Sequence, residues 1–271
     1  MTGTDADVAA AAVAGDSDAL AEVLRRVQDP VYRLALRMTG RRVDAEDATQ
    51  EILIRVMTRM SSFRAEASLV TWAYRIAVNH LLNLRRQPRE DLTLDGYRED
   101  LLRQSSYDGP DSAVLAEEVR LQCAQALLQC LDRPGRAAYV LGEVLGLAGQ
   151  EAAWVLGVPA ATYRKRLERA RDQVRGALRG RCGLLDPAAP CRCSRRIGQG
   201  IEKGWVDPVA PVLATHATRG AARTAGDLGR LRDVGDLLRA HPDYAAPESR
   251  AQAVLTLIRS GRYPGLLPDE P

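Results

Sequence analysis

Aliphatic residues recur at intervals of three and four along most of the 271-residue chain. The pattern is clear in residues 16–39, where Leu20, Val23, Leu24 and Val27 fall on one face of a helix. Only 4% of the residues are aromatic, so aliphatic side chains, many of them helix-favouring alanine and leucine, must fill the core. Long alternating β-branched runs, which would predict strands, are missing. The sequence therefore predicts an all-α fold.

The N-terminal part of the chain predicts a small helical domain. Pro30 should divide the helix just described into two, because proline cannot donate the interior hydrogen bond. A third helix should begin at Asp44, where acidic side chains fall in the first turn. The next helix should begin after Ser68 and carry Arg85 and Arg86 in its last turn.

Changes in composition divide the rest of the chain. Residues 89–114 are acidic and rich in turn-forming residues, so we expect a flexible linker with one short helix. A second helical domain, with a basic surface, should cover residues 115–180. We therefore expect a first domain over residues 1–88, then this linker and second domain, and a mostly helical, cysteine-containing extension over residues 181–271.

The chain begins with an acidic segment that lacks the basic start of a signal peptide. No apolar run approaches the ~20 residues that a membrane span needs. Five cysteines, an odd number, argue against a disulfide scaffold. We therefore expect a cytoplasmic protein with no membrane segment.

Residues 149–175 predict a helix-turn-helix. A short helix should end at Gly157, which can adopt the left-handed conformation common at helix ends, and Pro159 should set the entry of a second helix. The second helix should bury one apolar stripe and expose basic residues on its other faces. The stripe consists of Tyr163, Leu167, Ala170, Val174 and Leu178.

A basic second helix of this kind can lie in the major groove of DNA. The candidates for base and phosphate contacts are Thr162, Arg164, Lys165 and Arg169. A plain helical hairpin with a solvated basic face is the alternative. Gly142 falls inside another predicted helix, where glycine costs about 1 kcal/mol relative to alanine, so we expect a loosely packed domain.

Residues 44–86 contain a DAED–QE helix, a Phe-Arg turn, a T-W-x-Y-R-I-A-x-N core and a terminal arginine pair. Residues 131–178 contain the pattern T-x-x-x-R-L-x-R-A-R. In this order and spacing, the two stretches resemble region 2 and region 4 of the bacterial RNA polymerase sigma factors of the extracytoplasmic-function group, in the sigma-70 family. The resemblance covers roughly residues 15–180 and leaves the extension outside it.

The resemblance implies that region 2 binds the coiled-coil clamp of the largest subunit of core RNA polymerase. By position, the contacting residues would be Asp44, Asp47, Gln50, Glu51 and Arg55. Acidic and amide groups on one exposed helix face suit a polar docking surface.

The resemblance also implies that the following segment opens and reads the −10 element of a promoter. Phe63 and Arg64 would act from a loop, and Arg75 and Asn79 from the next helix. Trp72 lies on the apolar stripe, so we expect it to be a core residue and not a stacking platform. Region 4 would read the −35 element through the four candidates on the second helix of the helix-turn-helix.

Three cysteines of the extension, Cys182, Cys191 and Cys193, form a C-x8-C-x-C pattern among several arginines. We expect nearby cations to lower the pKa of these thiols and to favour thiolates. The thiolates could bind zinc with a fourth ligand such as His216, two could form a redox disulfide, or all three could be structural. The spacing matches no standard zinc pattern, so no cofactor is predicted, and zinc remains an open alternative.

Two amphipathic helices predicted near the C-terminus need an apolar partner. Their apolar residues are Leu228, Leu231, Val234 and Leu238 in the first, and Ala251, Val254, Leu255 and Ile258 in the second. We therefore expect the extension to regulate the same chain by docking on region 2 or region 4, or to contact the polymerase.

These observations predict a sigma factor that directs core RNA polymerase to specific promoters and assists their opening. The expected partners are core RNA polymerase and promoter DNA, and the sequence leaves open whether an anti-sigma factor also binds. No catalytic residues are predicted, so the chain is not expected to be an enzyme. The alternatives are a stand-alone helix-turn-helix regulator with a thiol- or metal-sensing C-terminal segment, and a thiol-metal enzyme.

Overall fold

The computed structural model describes residues 3–85, 91–218 and 234–260. Within these ranges it has twelve α-helices and no β-strand, so the predicted all-α fold is confirmed. None of the described helices is long and apolar enough to cross a membrane. The helices are α1 (Asp5–Val13), α2 (Ser17–Thr39), α3 (Arg42–Thr58), α4 (Leu69–Leu82), α5 (Leu94–Leu102), α6 (Ser112–Gln129), α7 (Arg133–Tyr139), α8 (Gly149–Leu156), α9 (Ala160–Leu178), α10 (Ile197–Glu202), α11 (Val234–Arg239) and α12 (Glu248–Arg259).

The chain forms two compact units. Described residues of the first unit are 3–84, 153–158 and 245–260, so the unit contains α1 to α4 together with α12. Described residues of the second unit are 85, 91–152, 159–218 and 234–244. One of the boundaries between the units falls within α8.

Helix α2 is the centre of the first unit and packs against α1, α3 and α4. The carboxylate of Asp5 links three elements of this unit. Its Oδ2 accepts a hydrogen bond of 2.8 Å from the backbone N–H of Leu69 at the start of α4. Its Oδ1 accepts one of 2.8 Å from the guanidinium of Arg26 on α2. These contacts fix the start of α4 relative to α1 and α2.

Pro30 lies inside α2, so the prediction that it divides this segment into two helices is wrong. An interior proline costs a helix about 3 kcal/mol through a lost hydrogen bond and a steric clash. Apolar residues on both sides of it, including Val27, Val31 and Leu34, are fully buried. Burial of one continuous apolar face therefore outweighs the local cost of the proline.

Helix α4 begins as predicted, because the hydroxyl of Ser68 accepts a hydrogen bond of 3.0 Å from the backbone N–H of Thr71. The helix ends at Leu82, so the prediction of arginines in its last turn is wrong. The side chain of Asn83 donates to the carbonyl of Asn79 at 2.7 Å and caps the helix before Arg85. Arg86 lies outside the described residues.

The short helix predicted in the segment 89–114 is α5. It packs against α6 and α9 in the second unit, with Tyr97 and Leu101 buried. The surrounding sequence is polar and weakly periodic, so its pattern did not indicate that these two residues are buried. This part of the segment is therefore a packed element.

The buried side chain of Arg136 caps the C-terminal end of α6. The guanidinium of Arg136 donates to the backbone carbonyls of Leu128, Gln129 and Leu131 at 2.9–3.1 Å, and to the side chain of Gln129 at 2.6 Å. The last carbonyls of a helix have no partners within the helix, so a cation there satisfies them and matches the helix dipole. Arg136 therefore fixes the turn between α6 and α7.

Gly142 lies in a π-helical turn, Val140–Val144, that follows α7. A Cβ at this position would lie 2.3 Å from the hydroxyl oxygen of Tyr163 and 3.2 Å from Leu167 Cδ2. The glycine therefore permits close packing against α9. At this position the glycine does not loosen the packing, because a buried tyrosine fills the space that a side chain would take.

The first part of the extension completes the core of the second unit. Ile197 and Val206 form one apolar cluster with Leu115 and Val119 of α6. The buried carboxylate of Glu118, also on α6, accepts hydrogen bonds from the backbone of residues 213 and 214 at 2.8 and 2.7 Å. Of the apolar residues predicted for the two C-terminal helices, Leu228 and Leu231 lie outside the described residues.

Candidate functional site

One face of α3 carries all five residues expected to bind polymerase, and we call Asp44, Asp47, Gln50, Glu51 and Arg55 the α3 surface. The opposite face of α3 is apolar and packs into the first unit. Spacing of three and four residues therefore separates a buried side from a polar side. Asp47, Glu51 and Arg55 are exposed, and Asp44 and Gln50 are half-buried.

The α3 surface has partners within the chain. Asp44 lies 3.5 Å from the guanidinium of Arg41. Asp47 and Gln50 accept hydrogen bonds from Arg250 of α12, at 3.0 and 2.7 Å. Sequence reasoning missed Arg250, because only the apolar stripe of α12 indicated that this helix docks. An arginine beside that stripe, opposite an acidic helix, was the available signal.

The candidates for −10 contacts lie in and after the loop that follows a 3-10 turn at Met60–Ser62. The rings of Phe63 and Trp72 meet edge to face, with centroids 5.4 Å apart. Both side chains are half-buried, so Trp72 packs but is not fully enclosed. Arg64 is exposed and donates to the carbonyl of Ser61 at 2.8 Å.

The other two −10 candidates lie on α4. The guanidinium of Arg75 lies 4.5 Å from the ring centre of Trp154, a cation–π contact within the first unit. Asn79 is exposed. Next to it, burial and the nearby Arg55 lower the pKa of His80, so its imidazole is neutral at pH 7. This face of α4 therefore offers an amide and one partly engaged arginine.

The predicted turn between α8 and α9 is confirmed. Gly157 has a φ of 63°, the left-handed conformation expected at the end of α8. The backbone N–H of Val158 returns to the carbonyl of Ala153 at 3.1 Å. Pro159 directly precedes α9, where its fixed φ suits a helix start.

Helix α9 separates its apolar and basic residues as predicted. All five residues of the predicted stripe are buried. Four candidates for DNA contacts form what we call the α9 surface, of which Thr162 is half-buried and Arg164, Lys165 and Arg169 are exposed. By contrast, the guanidinium of Arg171 donates to the carboxylate of Glu143 at 2.8 Å. The exposed basic residues of the α9 surface therefore lie in the N-terminal half of α9, before Arg171.

The cysteines of the extension line one pocket of about 610 Å³ in the second unit, together with Cys123 of α6. Burial raises the pKa of Cys182 and Cys193, and it raises the pKa of Cys191 to about 11. The expectation that nearby arginines favour thiolates is therefore wrong, because desolvation exceeds their effect.

The pocket does not resemble a metal site. In the three described ranges, no three Cys, His, Asp or Glu side chains form a group that could hold a metal ion. His216, considered as a fourth ligand, packs edge to face on Tyr244 with centroids 5.1 Å apart. The side chain of Cys123 instead lies 3.0 Å from the hydroxyl oxygen of Tyr97.

Comparison with known proteins supplies the family. The Sigma-70 region 2 family matches residues 23–90. SigW of Bacillus subtilis, an ECF RNA polymerase sigma factor, is 33% identical over 172 residues, which are 61% of this chain and 91% of SigW. SigE of Mycolicibacterium smegmatis is 36% identical over 158 residues, which are 58% of this chain. The match spans only 60% of the length of SigE.

Among solved structures, CnrH in complex with the cytosolic domain of CnrY matches with a TM-score of 0.47 and 22% identity. That match covers 64% of this chain and 96% of CnrH. On the strength of the sequence relatives, the chain belongs to the ECF sigma factors of RNA polymerase. It is therefore a sigma factor, a protein that acts with RNA polymerase in transcription initiation.

Proposed function

We propose that this sigma factor binds core RNA polymerase through the α3 surface, by way of the clamp of the largest subunit. The observation that carries the proposal is the division of α3 into a buried apolar face and a polar face with exposed Asp47, Glu51 and Arg55. Exposed charges of both signs give a docking surface its orientation and its association rate. A matching partner would present basic residues toward Asp47 and Glu51.

We propose further that the α9 surface reads the −35 element. Arg164, Lys165 and Arg169 are exposed on one helix whose apolar stripe is buried. Arginine can bond two acceptors of guanine, and lysine can contact bases or phosphates. The −10 element would be opened and held by Phe63, Arg64, Arg75 and Asn79.

Each segment of the chain has its own proposed role. Residues 1–88 would serve as region 2, residues 115–180 as region 4, and residues 89–114 as their connection. Residues 181–271 would regulate the same protein. An anti-sigma factor is a partner that the sequence leaves open.

Run-off transcription with reconstituted core RNA polymerase tests the function. The full chain should support initiation on promoter templates, and Glu51→Arg should reduce it strongly because the reversed charge opposes docking at an exposed site. If the wild-type chain supports initiation on none of the genomic templates, the proposal is contradicted. Tight, specific binding to duplex DNA without polymerase would favour a stand-alone regulator.

The α9 surface has a matched pair of arginines for a second test. Arg169→Ala should weaken promoter binding of the holoenzyme by about 1–3 kcal/mol if the side chain contacts a base. Arg171→Ala, in which the lost arginine pairs with Glu143, should change it much less. Equal effects of the two variants on promoter binding would argue against a base contact by Arg169.

A further inference from the structure

The last described helix, α12, packs on α2 and α3 within the first unit. It buries Val254, Leu255 and Ile258 and exposes its remaining long polar side chains, apart from one arginine. This helix belongs to the extension and lies outside the stretch that resembles a sigma factor. Its position on α3 places it beside the proposed polymerase-binding residues.

The exception among the polar residues of α12 is Arg250, which is half-buried against α3. Its Nη1 donates to the side-chain oxygen of Gln50 at 2.7 Å, and its Nη2 donates to a carboxylate oxygen of Asp47 at 3.0 Å. A carboxylate oxygen of Glu46 lies 3.5 Å from the same Nη2. One planar guanidinium thus engages three polar side chains of α3, two of them in the α3 surface.

Contacts at both ends hold α12 in this place. Before the helix, the backbone N–H of Ala246 donates to a carboxylate oxygen of Asp29 at 2.8 Å. In its last turn, the guanidinium of Arg259 donates to the hydroxyl of Ser17. Both acceptors belong to the first unit, one on α2 and one at its start. These contacts set the register of α12 on the first unit, and this register places Arg250 opposite Asp47 and Gln50.

We propose that α12 is a built-in competitor of RNA polymerase for the α3 surface, with Arg250 occupying the groups that a basic partner would use. This inference rests on the proposed function of the α3 surface. A partner that binds Asp47 and Gln50 has to displace Arg250, because both side chains are already its acceptors. Glu51 and Arg55 remain exposed and give the partner a first contact.

The contacts that hold α12 on α3 are weak enough for the helix to be displaced reversibly. The side chains of Arg250 and Asp47 are 27% and 65% exposed, so solvent screens their attraction. The apolar contribution comes from three buried residues on a helix of 12. Binding to polymerase then occurs from the fraction of molecules in which α12 has left α3, and the apparent affinity is the intrinsic affinity multiplied by that fraction.

Titration of fluorescently labelled full-length chain with core RNA polymerase tests the proposal. Arg250→Ala should tighten binding by about threefold to tenfold, because a larger fraction of the chain is open. Arg250→Glu should tighten it further through repulsion from Asp47 and Glu46, and Arg250→Lys should fall between Ala and wild type. Gln252→Ala, on the exposed face of α12, is the matched control and should leave binding unchanged.

Two further measurements separate the inference from the function on which it rests. Glu51→Ala should weaken binding whether or not α12 is displaced; unchanged binding of that variant would contradict the proposed function. If Glu51→Ala weakens binding while Arg250→Ala and Arg250→Glu bind no more tightly than wild type, the competition is wrong and the function stands. Hydrogen exchange of residues 245–260 should rise in Arg250→Glu, and unchanged protection would overturn the role of Arg250.

Discussion

The two described ends of the extension attach to the protein in different ways. Residues 181–218 share an apolar cluster with α6 in the second unit. Their backbone also donates hydrogen bonds to the buried carboxylate of Glu118 on α6. Residues 245–260 lie on the first unit through one apolar stripe and several half-exposed polar contacts. The first attachment completes a core, whereas the second covers a polar surface.

One extension can therefore have both a structural and a regulatory part. Separating a continuous core exposes apolar area and leaves buried polar groups unsatisfied, so that segment should stay folded whenever its unit is folded. A helix held by screened charges and three apolar residues can leave while its unit stays intact. Four measurements test whether the two segments differ in this way, and the largest expected effect comes first.

The largest effect should come from removing matched isoleucines in the two segments. Ile197 is 0% exposed and Ile258 is 2% exposed. Ile197→Ala should lower the free energy of unfolding of the second unit by about 2–4 kcal/mol, through lost burial and a cavity. Ile258→Ala should release α12 but leave hydrogen-exchange protection in α1–α4 unchanged. Equal loss of protection throughout both units in the two variants would contradict the comparison.

A smaller effect is expected at the buried carboxylate of Glu118. Glu118→Ala should destabilise the second unit by roughly 2–3 kcal/mol, because the backbone N–H groups of Leu213 and Ala214 lose their acceptor. Glu118→Gln keeps one side-chain oxygen and should cost less. Urea denaturation of both variants gives the difference, and a Gln variant as unstable as the Ala variant would show that charge matters more than the acceptor.

Cys191 in the thiol pocket predicts a loss of stability of about 1 kcal/mol between pH 8 and pH 10. Burial raises the pKa of Cys191 to about 11, above the 9.0 of an exposed thiol. The folded state therefore retains this proton while the unfolded state loses it, so stability is full below pH 9 and falls as pH rises toward 11. Urea denaturation at pH 8 and pH 10 should show the loss, and Cys191→Ala should reduce it. Rapid alkylation of the native Cys191 thiol at pH 8 would contradict its burial.

The smallest effect is expected from salt acting on α12. Raising the salt concentration from about 0.05 to about 0.5 M should screen the contacts of Arg250. These concentrations lie on either side of the roughly 0.1 M at which the Debye length is about 10 Å. Hydrogen exchange of residues 245–260 should then accelerate about threefold in the wild type and hardly at all in Arg250→Ala. Residues 181–218 should not respond. A salt response that persists in Arg250→Ala would assign the effect to another charge.

Sequence alone predicted the parts of this protein that depend on neighbouring residues. The apolar spacing of α9, the hydroxyl cap at Ser68 and the left-handed turn at Gly157 are local, because each involves residues within a few positions of one another. The separation of polar and apolar faces on α3 is local for the same reason. These features, with the two motifs, were sufficient to indicate the family.

The features that depend on distant residues became visible in the folded chain and not in the sequence. Arg250 contacts Gln50 across 200 positions of the chain, and no periodicity encodes that pairing. Pro30 remains helical because apolar residues before and after it in α2 are buried, and the thiol of Cys191 keeps its proton because desolvation exceeds the effect of nearby arginines. Local sequence sets which face of an element is apolar. Burial and charge pairing are properties of the assembled chain, because they depend on what covers that face.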